Sequence, residues 1–155
     1  MATWSEFESA APELAARVRA RFDAHKHKTM ATLRRDGGPR ISGTETQFKD
    51  GELWFGSMWK AVKALDLQRD PRIAIHSATF DPDNDWPGEA KIAGTAHEIV
   101  NEDDVSELNG EAGANGPSHA FRLDITEASW VRVDGKELLI DMWTPARGAH
   151  TIKRT

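Results

Sequence analysis

TMATLRRDGGPRISGTETQFKDGELWFGS, Thr29 to Ser57, is the stretch whose reading decides the fold. Apolar and polar residues alternate through TMATLRR, RISGTETQF and LWFGS, and the segments between them, DGGP and KDGE, have tight-turn composition. Three strands joined by two glycine-containing turns are predicted, an antiparallel meander.

Downstream, GSMWKAVKALDLQRDP (Gly56–Pro71) predicts a helix from Trp59 to Arg69 with Val62, Leu65 and Ala61 on its apolar face. Asp70-Pro71 ends it, because the residue before proline avoids helical geometry. RIAIHSA is a fourth strand, FDPDNDWPGE a loop and AKIAGTAHEIV a fifth strand. EDDVSELNGE reads as a short helix, and EAGANGPS as a flexible link bordering a site. HAFRLDITEASWVRVDGKELLIDMWTP gives two long strands turned at Asp134-Gly135, and ARGAHTIKRT adds a short one. Upstream, residues 1–27 form a helical segment. Ser5 and Glu8 have capping-box spacing there, and Pro12 opens a second helix carrying Leu14, Val18 and Phe22. At least seven short antiparallel strands, with one helix between the third and fourth, imply a mainly β, α+β fold: a small closed or partly closed barrel.

The chain has 155 residues, enough for one domain over 1–155. A net charge of −5 gives no general attraction to a phosphate backbone, so nucleic acid is not expected as a partner. No apolar run reaches the roughly 20 residues that span a bilayer, and the first residues lack a signal-peptide pattern, so no membrane partner and a cytoplasmic location are expected. With no cysteine, thiolate metal sites and thiol nucleophiles are excluded.

Lys60 and Lys63 stand at the start of the predicted helix, where cations oppose the helix dipole. With Ser57 as a cap or hydroxyl donor and the free N–H groups of the first turn, they would hold a phosphate or another anion. The plainer alternative is that both lysines are solvated surface residues.

The ordered series Ala31-Thr32-Leu33, Asp36-Gly37-Gly38-Pro39, Asp50-Gly51, Leu53, Phe55, Ser57, Lys63 and Asp70-Pro71 resembles the pyridoxamine 5′-phosphate oxidase-like superfamily of split β-barrel, FMN-binding type proteins. The agreement covers Ala31 to about Ile99 and, more loosely, the C-terminal strands. The resemblance implies a homodimer in which both subunits build each site, with FMN or the deazaflavin F420 as cofactor. Its phosphate falls to Ser57 and Lys63, with Lys60 as an additional or alternative cation, and its ring to the strand at Ser42, Gly43 and Thr44. Ala61 and Val62 stand where related flavoenzymes often have Arg or Ser. WTPARGAH has no match to the vitamin-processing oxidase's arginine and histidine pair. The resemblance is therefore to relatives other than that oxidase.

Further candidates are His25 and His27, a possible metal pair without a third ligand and better read as a solvated helix end, and His76, a cavity-facing acid or an ordinary strand histidine. No metal is expected. Glu45 lies at the barrel rim or in the site. Asp81, Asp83 and Asp85 lack the offsets of a calcium loop. Trp59, Trp86 and Trp143 pack in the core, at a dimer interface or on a planar ligand, and Arg147 is a possible second cation. Three functions compete: a flavin-type oxidoreductase acting on an unknown small molecule, a non-catalytic flavin- or haem-binding protein on the same fold, and a β-barrel interaction module with a tryptophan patch.

Overall fold

The computed structural model describes residues 1–82, 85–113 and 116–154. Helices α1 (Trp4–Ala10) and α2 (Pro12–Asp23) precede strands β1 (Lys28–Leu33), β2 (Pro39–Thr44), β3 (Thr46–Lys49) and β4 (Glu52–Met58). Then come α3 (Val62–Arg69), β5 (Arg72–His76), β6 (Glu89–Ile99), α4 (Glu102–Gly113), β7 (Ser118–Asp134), β8 (Glu137–Thr144) and β9 (Gly148–Arg154). Among the described residues, no helix is long and apolar enough to cross a membrane.

The expected second strand is two strands. Glu45 separates β2 from β3, so the predicted three-stranded meander is instead two hairpins, β1–β2 and β3–β4, and the inserted helix follows the fourth strand rather than the third. At the β3–β4 turn, Asp50 (φ 52°) and Gly51 (φ 75°) both take the left-handed conformation that a two-residue hairpin turn requires.

The hydrogen-bonded path runs β2-β1-β5-β6-β7-β4-β3, with every pairing antiparallel. β2 and β3 are thus its two ends. In a flat sheet with strands about 4.8 Å apart they would stand roughly 29 Å from each other. One residue joins them, and two Cα–Cα steps reach no more than about 7.6 Å. The sheet must therefore roll until its edges meet, where the chain, and not a ladder, links them: a split barrel. β7 carries β4 on its first half and β8 on its second, and β9 extends the sheet beyond β8. β6 bulges between Ala93 and Gly94, where a side chain on Gly94 would collide with the Asp124 carbonyl oxygen.

The core gathers Leu53, Phe55, Ile75, Ile92, Phe121, Leu123 and Ile125 from the barrel under Trp4, Phe7, Val18 and Phe22 from α1 and α2. Leu14, Val18 and Phe22 face inward as their spacing predicts. The capping box lies two residues earlier than expected: Thr3 and Glu6 cap α1, not Ser5 and Glu8.

The apolar face of α3 is also corrected. Val62 and Leu65 are 54% and 45% exposed, whereas Ala64, Asp66 and Leu67 are buried. Asp66 is what the helix turns inward. Its carboxylate accepts from Arg40 Nε at 2.6 Å, Thr32 Oγ1 at 2.9 Å and Arg69 Nη2 at 3.1 Å, and Arg69 also donates to the Leu33 carbonyl. Burial pushes the Asp66 carboxyl up, but these hydrogen bonds outweigh it and hold the group below the usual carboxylate range. A depressed carboxylate contributes stability that is present above its unfolded-state pKa and is lost as pH falls through its folded-state pKa. We expect Asp66→Ala to cost about 3 kcal/mol in urea denaturation at pH 7, because it leaves Arg40 unpaired, and the difference from wild type to shrink below about pH 4. An unchanged midpoint would remove Asp66 from this role.

Candidate functional site

Where the sheet edges meet, a groove of about 940 Å³ opens between the β2–β3 crossing and the end of β4. Gly43, Thr44, Ser57 and Lys63 line it, so four of the six sequence-predicted residues come together. Lys60 and Ser42 do not line it. Lys60 is not helical either: it takes φ 55° in the turn before α3, whose N-cap is Ala61 without a side-chain cap. Ser57 accordingly is no helix cap. It is a buried residue of β4 whose hydroxyl lies 3.5 Å from the Met58 carbonyl.

Lys63 occupies the second position of α3, and its Nζ donates to the Gly43 carbonyl at 2.6 Å. Burial alone pushes its ammonium below the usual lysine range. Lys28, at the start of β1, also lines the groove and is only 6% exposed. Its Nζ donates to the Lys26 carbonyl at 3.1 Å. Burial again pushes it down, against the pull of the Asp23 and Glu45 carboxylates. Thr46 adds a buried hydroxyl with no hydrogen-bond partner among the described residues, and Trp54, Phe55 and Trp59 give the groove aromatic walls. Two dehydrated cations, a spare hydroxyl and aromatic surface suit a flat ligand bearing an anionic group.

Glu45 is at the rim and in the groove at once, within 3.6 Å of Lys26 and 3.8 Å of His27. His25 packs on Phe80 and also lines the groove. Among the described residues, no group of three or more His, Asp or Glu is placed to hold a metal ion. His76 is an ordinary strand histidine outside the groove, bonded to the Ser77 carbonyl at 2.6 Å and 3.4 Å from Glu89. Trp143 is buried against Phe7, whereas Trp59 is 51% exposed; Trp86 is half-buried and outside the groove. Arg147 lies in the β8–β9 turn, away from the groove. Asp81 and Asp85 are exposed loop residues, and Asp83 lies outside the described residues. The predicted EAGANGPS link is helical as far as Gly113; residues 114 and 115 are outside the described residues, and Gly116 to Ser118 reach the groove.

A second groove of about 1160 Å³ runs between α2 and strands β7 to β9. It contains none of the predicted site residues, and its most enclosed charges are matched within the sheet: Asp141 accepts from Arg132 at 2.8 Å and from Thr151 at 2.6 Å. The smaller groove is the candidate site.

Sequence reasoning missed Lys28, Thr46 and a buried histidine, His119, which accepts the Lys60 N–H through Nε2 at 3.1 Å and pairs with Glu98 through Nδ1 at 2.6 Å. A lysine opening a strand was the only visible signal for Lys28. Partners for His119 lie on elements whose register sequence does not give.

The folded-state pKa of Lys28 lies below its unfolded value, so the unfolded chain binds more protons between the two and stability rises with pH there. We expect Lys28→Met to raise the unfolding free energy at pH 7 by on the order of 1 kcal/mol, seen as a higher urea midpoint; a lower midpoint would make Lys28 a structural residue.

A family model for pyridoxamine 5′-phosphate oxidase matches residues 14–136. No curated protein matches the chain. Among solved structures, an FMN-binding protein related to pyridoxamine 5′-phosphate oxidase from Nostoc punctiforme superposes with a TM-score of 0.62 at 13% identity, over 94% of this chain and 96% of that one. A conserved hypothetical protein from Mycobacterium tuberculosis gives 0.61 at 20% identity, over 78% of this chain and 92% of that one. A haem-binding protein from Mycobacterium smegmatis gives 0.60 at 22% identity over 83% of this chain, which spans 57% of that protein's length.

Proposed function

Because the chain belongs to the pyridoxamine 5′-phosphate oxidase family, we propose that its groove binds FMN or the deazaflavin F420 and that the protein is an oxidoreductase acting on a small molecule. The observation that carries this is Lys63, a half-buried ammonium in the groove whose burial no carboxylate offsets. A phosphate there restores to the cation what burial removed. Thr46, with its unpartnered hydroxyl, fits a polar ligand edge, and both cofactors bring a phosphate and a flat tricycle.

Such a cofactor supplies the hydride or electron chemistry when bound. In this reading Lys63 and Lys28 neutralise the anionic end, with the Ser57 hydroxyl lining the same groove. Gly43 and Thr44 present backbone to the ring edge, with room at Gly43 because nothing lies within 4 Å of where a Cβ would be. Phe55 and Trp59 keep water away from the ring. Lys60 and Ser42 take no part. The site is completed by a second copy of the chain. Ile41, Met58, Val62 and Leu65, all on the elements that build the groove, are exposed apolar side chains that a homodimer interface would cover. The likeness to the haem-binding protein of Mycobacterium smegmatis supports a second reading, a non-catalytic flavin or haem carrier on the same fold.

Titration of the purified protein with FMN and, separately, F420, followed by tryptophan quenching and cofactor absorbance, tests the proposal. Saturation at micromolar concentration or below by one of them is expected, with sedimentation at twice the chain mass. Lys63→Met should weaken binding by about tenfold or more. Binding should also weaken on the alkaline side, beginning below the ordinary lysine range because Lys63 and Lys28 are both shifted down, and this limb should shrink in Lys63→Met, where Lys28 alone remains to titrate. Saturation by haemin and by neither flavin would favour the carrier, and binding of none would overturn both readings.

A further inference from the structure

Trp59 forms part of the groove wall while half its surface is exposed. The next residue, Lys60, has φ 55°, a left-handed conformation that a non-glycine residue keeps only when its surroundings enforce it. The enforcing group comes from 59 positions along the chain. The Lys60 N–H donates to His119 Nε2 at 3.1 Å, so Nε2 carries no proton and Nδ1 does. Nδ1–H donates to Glu98 Oε1 at 2.6 Å, and Gln68 Nε2 donates to the other Glu98 oxygen at 2.8 Å. The imidazole face lies against the Trp59 indole, with centroids 4.7 Å apart and planes 13° from parallel. His119 itself is 4% exposed. One buried ring thus fixes both the backbone of the turn and the plane of the aromatic side chain beside it.

We propose that His119, oriented by Glu98 and Gln68, is a positioning residue of the groove. It sets the left-handed turn at Lys60 and so holds Trp59 as a planar wall on which a flat aromatic ligand stacks. The ligand half of this statement rests on the groove being the cofactor site; the turn half does not. The relay joins α3, β6 and β7 to the one segment between β4 and α3 that has neither helix nor strand to hold it. Its order is that of a carboxylate–histidine pair fixing one imidazole tautomer, here directed at a backbone N–H instead of a substrate.

Three substitutions separate the functions of the ring. His119→Gln keeps an acceptor where Nε2 was and a donor towards Glu98. His119→Phe keeps the ring and removes both. His119→Asn is too short to reach the Lys60 N–H. Two quantities are measured on each: acrylamide quenching of Trp59, taken as the difference between each protein and its Trp59→Phe counterpart, and the Kd for FMN, or for F420 if that is the flavin the wild type binds. The expected result is Trp59 accessibility within about twofold of wild type for His119→Gln. For His119→Phe and His119→Asn, about threefold greater accessibility and about tenfold weaker flavin binding are expected, the loss of one hydrogen bond and the turn it supports. Wild-type accessibility in His119→Phe would overturn the proposal; if that protein does not fold by circular dichroism, His119→Asn against His119→Gln decides in the same way. Unchanged flavin affinity in a variant whose Trp59 has become accessible would overturn the wall. If the wild type binds neither flavin and the quenching pattern still holds, the cofactor assignment fails and the positioning of Trp59 by His119 stands.

Discussion

The rest of the structure depends on a single-residue crossing. Glu45 carries the chain from one end of the sheet path to the other, and peptide geometry permits that only if the sheet is rolled. Twist supplies the tendency to curl, since antiparallel sheets of many strands are never flat, but the crossing sets how far it goes. The groove is a consequence of the same constraint. Edges that meet through a covalent link and not through a ladder leave a cleft beside the link, and the residues flanking Glu45 become its wall.

Charge is arranged around this cleft with opposite logic on its two sides. Under α3, the buried Asp66 has three donors and holds the helix on β1 and β2; it is a satisfied group and serves the fold. A turn earlier on the same helix, Lys63 is partly dehydrated and meets only a carbonyl oxygen. Lys28, on β1, is likewise dehydrated and bonded to a carbonyl oxygen, but there the Asp23 and Glu45 carboxylates offset part of the burial. Folding alone gains nothing from desolvating two cations in one groove, and the proposed anion site rests on that.

Much of the barrel was legible because its signals are local. Alternation along β1, β5 and β6, the Asp50-Gly51 turn, the β7–β8 turn, which falls on Gly135-Lys136 one residue after the expected Asp134-Gly135, and the stop at Asp70-Pro71 depend on near neighbours alone. What escaped depended on distance or register. The break at Glu45 has no proline or glycine beside a change of pattern, and a strand that turns a corner keeps its alternation. The α3 start was placed too early because nothing in Trp59-Lys60-Ala61 discloses that a histidine on β7 pulls Lys60 out of helical geometry. Its inward face was misassigned for a related reason: hydropathy put Val62, Leu65 and Ala61 inside, while Arg40 and Thr32, on β2 and β1, draw Asp66 inward instead. Of the residues expected from their order along the chain, Ser57, Lys63, Gly43 and Thr44 line the groove, whereas Ser42, although on the same face of β2 as Thr44, is not among its lining and Lys60 lies in the turn before α3. Lys28 was hidden because burial, its distinguishing property, is tertiary.

The inserted position of α3 and β5 also bears on how the molecule assembles in time. The β1–β2 and β3–β4 hairpins are local and close within a few residues, but β1 finds β5 only after α3 has folded back, and β4 finds β7 across the whole length of β6 and α4. Loop-closure entropy delays contacts of that separation. The local hairpins are therefore expected to form first and the long-range pairing of β7 with β4 among the last. That step brings His119 to the Lys60 turn, so the ligand groove takes its final shape at the end of folding, and a chain halted before it would have most of its strands and no site.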